Sequence, residues 1–183
     1  MKKLRQNPPV EHSLPGFDMQ ALCSALDEAR RARNLSWGEL TTGINEPFKG
    51  TSSIPINVST IRGMQTKRSV TSAVVLQVLR WLDRAPESFL AGRDGASAAN
   101  ERLPDPGPSR ILRFDTRSLH AALDAERMKR GLKWKQVADE LPGFTESMLA
   151  NLATGPLIGF PRVMLITQWL RRPAVDFVSG RER

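Results

Sequence analysis

Two stretches of this chain repeat each other, and that duplication constrains the fold more than any other feature. With Phe17 set against Phe114, Leu22, Ala25, Leu26, Asp27, Arg30, Arg33, Leu35 and Trp37 recur as Leu119, Ala122, Leu123, Asp124, Arg127, Arg130, Leu132 and Trp134. After a longer connection in the first copy the register resumes. Ser59, Val75, Trp81, Leu82, Arg84, Phe89 and Gly92 recur as Ser147, Val163, Trp169, Leu170, Arg172, Phe177 and Gly180. The offset changes from 97 to 88 residues, so the first copy carries nine extra residues around 45–55. Solenoid units run about 20–50 residues; these are longer and read as a duplicated domain. Any functional reading of one copy can therefore be tested against the other.

The 183 residues suffice for one ordinary domain or two small ones. Each copy is near the lower limit of about 60 residues for a core that stands without staples, so contact between copies, or with a second chain, would help. Cys23 is the sole cysteine and His120 stands at its matched place, which excludes an internal disulfide and fits a reducing, cytoplasmic setting. No segment approaches the roughly 20 apolar residues of a membrane span. Lys2, Lys3 and Arg5 are followed by Asn7-Pro8-Pro9, not by the apolar run of a secretory signal. The net charge of +8 points to an acidic partner, with nucleic acid the usual one. Each repeat carries only +2, and the termini and linker supply the remainder. No dense cationic tract exists.

The chain divides into an extended N-terminal arm (1–16), a first copy (17–92), a Pro- and Gly-containing linker (93–113) and a second copy (114–180). As a flexible coil the linker spans roughly 25 Å, and fully stretched roughly 70 Å, so sequence leaves open whether the copies touch. Within each copy the apolar spacing is helical. Asp18 and Asp115 suit the N-cap of a first helix, and Asn34 and Gly131 its left-handed end. Ser36 and Glu39 form a capping box for a second helix; Lys133 and Gln136 make a weaker start. Asn57 and Thr145 open a third helix, with Ile61 and Leu149 inward. A fourth helix starts near Thr71 or Ser72 and, in the second copy, near Pro161. A short fifth helix holds Phe89 or Phe177. Neither copy shows a strand pattern.

Helices in this order, with Leu35-Ser36-Trp37-Gly38-Glu39-Leu40, Ser59-Thr60-Ile61 and Ala85-Pro86-Glu87-Ser88-Phe89-Leu90, resemble the lambda-repressor/Cro-type helix-turn-helix family. The second copy carries the resemblance on Leu132-Lys133-Trp134-Lys135-Gln136-Val137-Ala138, Ser147-Met148-Leu149 and Ala153-Thr154-Gly155. The resemblance implies an all-α chain of two tandem five-helix domains joined by the linker. It implies a transcriptional regulator that binds double-stranded DNA without a cofactor. In that family the second helix crosses the DNA backbone and the third enters the major groove. Carried over, Asn57, Val58, Ser59 and Arg62 face the groove, Thr66, Lys67 and Arg68 reach phosphates, and Ser36 and Trp37 open the second helix against the backbone. In the second copy Thr145, Glu146, Ser147, Ala150 and Asn151 face the groove, and Lys133 and Lys135 supply backbone contact.

The two readers differ. Arg62 suits a bidentate contact to guanine; Ala150 replaces it in the second copy, and Gly155 replaces Lys67. The first copy is thus the stronger reader. The second is either a weaker half-site reader or a unit kept for assembly, whether as a homodimer or as an intramolecular pseudo-dimer of the two repeats. The family's tight turn between helices two and three is replaced by 45–55, which either adds a contact or blocks approach. Gly63 falls within the expected recognition helix. The four tryptophans and the recurring arginines read first as core and as a salt-bridged face with Asp27 and Asp124. His12 and His120 have no ligand spacing for zinc, and no phosphate loop or nucleophile motif supports an enzyme. The rival reading keeps the fold and gives the third helices a protein partner, as in an antitoxin-like or anti-repressor module.

Overall fold

The computed structural model describes residues 14–66, 70–92, 102–107, 109–155 and 158–181. The first copy builds α1 (Met19–Ala32), α2 (Trp37–Asn45), a 3₁₀ turn (Glu46–Phe48), α3 (Val58–Arg62), α4 (Ser72–Leu82) and a further 3₁₀ turn (Pro86–Phe89). Strand β1 (Ile111–Phe114) leads into α5 (Thr116–Lys129), α6 (Trp134–Glu140), α7 (Glu146–Ala150), α8 (Phe160–Trp169), a 3₁₀ turn (Ala174–Phe177) and β2 (Val178–Arg181). The helix ends follow local chemistry. Asp18 accepts from the Ala21 amide, Asp115 from those of Arg117 and Ser118, Asn57 from that of Ser59 and Thr145 from that of Met148. Asn34 and Gly131 take the left-handed conformation that turns the chain out of α1 and α5.

The all-α expectation of two tandem five-helix domains is overturned. Residues 111–113, placed by sequence in the linker, and Phe114, the first of the second copy, pair antiparallel with 178–181, from Ile111 against Arg181 to Phe114 against Val178. The first copy keeps a remnant of this pairing, the single bridge Phe17–Leu90. Four residues are too few to show a strand period, and the partner that supplies their hydrogen bonds lies at the far end of the copy. The expected fifth helix is a four-residue 3₁₀ turn in both copies. Pro86 is its first residue and Pro173 the N-cap before it in the second copy, and a single turn closes with i→i+3 bonds. Gly63 does not lie inside α3; it is the C-cap that ends the helix after Arg62.

Nor do the copies stand apart. One core joins Phe17, Leu22, Leu26, Leu40, Ile44 and Ile61 of the first copy to Phe160, Met164, Ala174 and Val178 of the second and to Leu112 just before it. A second core is built from α5–α8 and the turn after them, with Leu14 of the N-terminal arm packed on it. Equivalent parts meet. Thr71 forms an antiparallel bridge with Gly159, its own counterpart. Phe17 and Phe114, also counterparts, both set their rings edgewise on Phe160, with centroids 4.8 and 5.8 Å away. The equivalent carbonyls of Leu112 and Pro15 accept from Gln77 on α4 at 3.2 Å and from Gln168 on α8 at 2.7 Å. The copies are therefore related by an approximate two-fold, broken beside the Thr71–Gly159 bridge, where buried Phe160 has half-buried Ser72 as its counterpart. Buried Glu87 adds an asymmetric tie, accepting from the Ala174 amide at 2.6 Å.

The linker's described part is a strap. Asp105 pairs with Arg80 of α4, Arg102 with Asp83, and the Ser109 amide donates to the Pro47 carbonyl. Pro106 lies so close to Gly180 of β2 that a Cβ there would collide with it.

Candidate nucleic-acid interface

The same device holds the second helix of each copy. Arg30 donates through Nε to Asp27 at 2.8 Å and through Nη1 to the Leu35 carbonyl at 2.7 Å, and its guanidinium lies 4.7 Å from the Trp37 ring centre. Arg127 repeats this with Asp124 at 2.8 Å, the Leu132 carbonyl at 2.9 Å and Trp134 at 4.8 Å. Arg33 over Trp81 and Arg84 over Phe89 recur as Arg130 over Trp169 and Arg172 over Phe177. These recurring arginines act as staples, each joining a charge to an aromatic face; Arg30 and Arg127 are half-buried, while Arg33, Arg84, Arg130 and Arg172 are exposed. The ion pairs leave a mark on titration. The hydrogen bond from Arg30 holds the Asp27 carboxyl below the usual range, aided by Arg31, and that from Arg130 does the same for Glu126.

With Trp37 and Trp134 half-buried against the cores, α2 and α6 are fixed at their starts. Ser36 accepts from the Glu39 amide while Glu39 accepts from the Ser36 amide at 2.7 Å, which holds the Glu39 carboxyl low. Lys133 manages half of that box, its amide donating to Gln136. Ile61 and Leu149 are buried beneath α3 and α7. The outward sides then follow from the helical period.

On α3 Asn57, Ser59, Arg62 and, beyond it, Thr66 are exposed, with Val58 half-buried. Arg62 makes no hydrogen bond or ion pair among the described residues and borders a shallow cleft with Cys23, Asp27, Trp37 and Gln65. Asn57 spends its oxygen on the Ser59 amide and hydroxyl, so it presents amide donors outward. Lys67 and Arg68 lie outside the described residues, as do Lys2, Lys3 and Arg5 of the N-terminal arm. On α7 Thr145, Glu146, Ser147, Ala150 and Asn151 are exposed, and Glu146 carries the only charge in that set. Asn151 turns its amide nitrogen onto the Ser147 carbonyl at 2.9 Å, which removes the donor half of a bidentate contact to adenine. Lys133 and Lys135 are exposed at the start of α6.

The expected groove-facing residues thus lie on or at the ends of α3 and α7, all exposed but Val58. It missed the groups that hold the copies together. Gln77 and Gln168 carry no motif, Glu87 lies in the Ala85–Leu90 stretch without a role of its own there, and the one available signal was the mismatch of Ser72 with Phe160 inside an otherwise apolar register. Among the described residues no group of three or more His, Cys, Asp or Glu could hold a metal ion, and no helix is long and apolar enough to cross a membrane. No family model, curated protein or solved structure matches the chain.

Proposed function

We propose that the chain is a sequence-specific regulator that binds double-stranded DNA through α2 and α3, with α6 and α7 as a second, weaker reading unit. The observation that carries this reading is Arg62. It is exposed, and without an ion pair among the described residues, on a short helix capped at its N-terminus and braced on α2, while the arginines at repeated positions are tied to carboxylates or rings. A free guanidinium beside Ser59 and the amide donors of Asn57 suits guanine O6 and N7. The two-fold relation supports use of both units by one chain. Thr71 follows Thr66 by only five positions and Gly159 follows Gly155 by four. The units therefore end within about 18 and 14 Å of the bridged pair. That admits half-sites one helical turn, roughly 34 Å, apart. The half-sites are dissimilar because the readers are, and no second chain is required. Such a regulator works in the compartment that holds DNA, the cytoplasm of a bacterial-type cell.

The test is selection of duplexes from a randomised library by the full chain, with affinity followed against salt. A defined bipartite motif and a steep fall of log affinity with log salt bear the reading out. Binding that is weak, unselective and lost by physiological salt sinks it. A protein partner is the second reading, and the face of α7 favours it: Glu146 and Ala150 are exposed there, and a pocket of about 470 Å³ opens beside Met148, Ile158 and Arg162.

A further inference from the structure

The extra residues between α2 and α3 form a built element. Asn45, the last residue of α2, clips the backbone of Ile56 from both sides: its Nδ2 donates to the Ile56 carbonyl and its Oδ1 accepts from the Ile56 amide, both at 2.9 Å. The insertion therefore leaves and rejoins the fold beside Asn57, the N-cap of α3. Phe48 is buried and Pro47 is held by the Ser109 amide. Thr51 folds the tip by donating to the Phe48 carbonyl at 2.7 Å and accepting from the Ser53 amide. A pocket of about 310 Å³, bordered by Thr42, Phe48, Ser53 and Pro55, separates the tip from α2.

What this arch presents outward is chemically specific. Lys49 is exposed, and its sole ion pair among the described residues is a loose one, 3.7 Å to the equally exposed Glu46; such a pair is worth little and yields to a phosphate. Gly50 and Ser52 are exposed beside it, and backbone amides and hydroxyls are common phosphate ligands. Ile54 is 84% exposed, one of two large hydrophobic side chains left so open among the described residues. An uncovered aliphatic chain next to a lysine and hydroxyls fits the sugar and base edges of a groove, where apolar side chains are inserted by proteins that bind there. The second copy has only 141–145 between α6 and α7 and presents nothing comparable.

We propose that the 46–55 insertion is a second DNA-contacting element, a wing that meets duplex backbone and groove edge beside the half-site of α3. This rests on the DNA reading above. It makes contact with the duplex lopsided, with the extra protection on the first copy's side only. The experiment uses the full chain, the randomised duplex library and then the most enriched duplex, with wild type, Lys49→Ala and Ile54→Ser compared by salt titration and by phosphate-ethylation interference. Both side chains are exposed, and circular dichroism of each variant checks that the fold is intact. Lys49→Ala is expected to lower the log–log salt slope by about 0.9, one phosphate's worth. Ile54→Ser is expected to bind about tenfold more weakly, the loss of one aliphatic burial, and to lose interference at one end of the site. An enriched duplex whose slope, affinity and interference pattern are unchanged in both variants overturns the wing and leaves the DNA reading standing. Absence of any enriched duplex with wild type overturns both.

Discussion

Arg62→Ala is the most direct probe at the scale of single residues. Its loss is expected to cost about 1–3 kcal/mol of specific binding and to relax preference at one base position, read as the change in affinity for the enriched duplex and its single-base variants. Unchanged affinity and preference would remove the first copy's claim to be a reader. Acid should weaken the fold itself. Asp27, Glu39 and Glu126 have carboxyls held low by hydrogen bonds from Arg30, the Ser36 amide and Arg130. Each binds its proton more readily in the unfolded chain. Their contribution is full above the unfolded pKa and is lost as pH falls through the lowered folded value, so stability declines from roughly pH 5 downward. Glu39→Gln should flatten that decline, measured as denaturation midpoints across the acid range; an unchanged slope would mean that the capping box adds nothing. Two of these three contacts were legible beforehand. Asp27 with Arg30 and Ser36 with Glu39 lie three apart, and helical geometry alone brings them together.

At the scale of elements, caps and inward stripes of the helices were also legible, because each depends on neighbours within a few residues. The insertion and the strands were not. Asn45 lies eleven residues from Ile56, and no local rule joins them. Asn45→Ala leaves the Ile56 amide and carbonyl without their partner, which costs about 1–3 kcal/mol where such groups are buried. Hydrogen exchange at the Ile56 amide should accelerate accordingly; unaltered protection would show that the insertion holds without its clip. Gly180 of β2 makes a second case. Any side chain there meets Pro106 of the strap, so Gly180→Ala should destabilise the chain by about 1–3 kcal/mol. A thermal midpoint equal to wild type would mean that the strap moves aside freely.

The whole molecule is an asymmetric pair within one chain. Because Phe160 of the second copy completes the core of the first, the copies should unfold together in one transition. Phe160→Ala should lower its midpoint, at a cost of about 3–5 kcal/mol, and calorimetry distinguishes this from two independent transitions. The same asymmetry bears on function, since one chain then presents two unlike third helices about an approximate two-fold. By itself the sequence determined the duplication, the helices with their caps, and the outward residues of α3 and α7, since these are consequences of short-range spacing and of comparing one copy with the other. Tertiary structure alone decided that the copies share a core, that 111–114 is a strand and that the linker is a strap. It also laid the recurring arginines over aromatic rings. Each of those outcomes depends on partners tens of residues away, and burial against such a partner, with hydrogen bonds to it, leaves no periodic trace in the chain that supplies it.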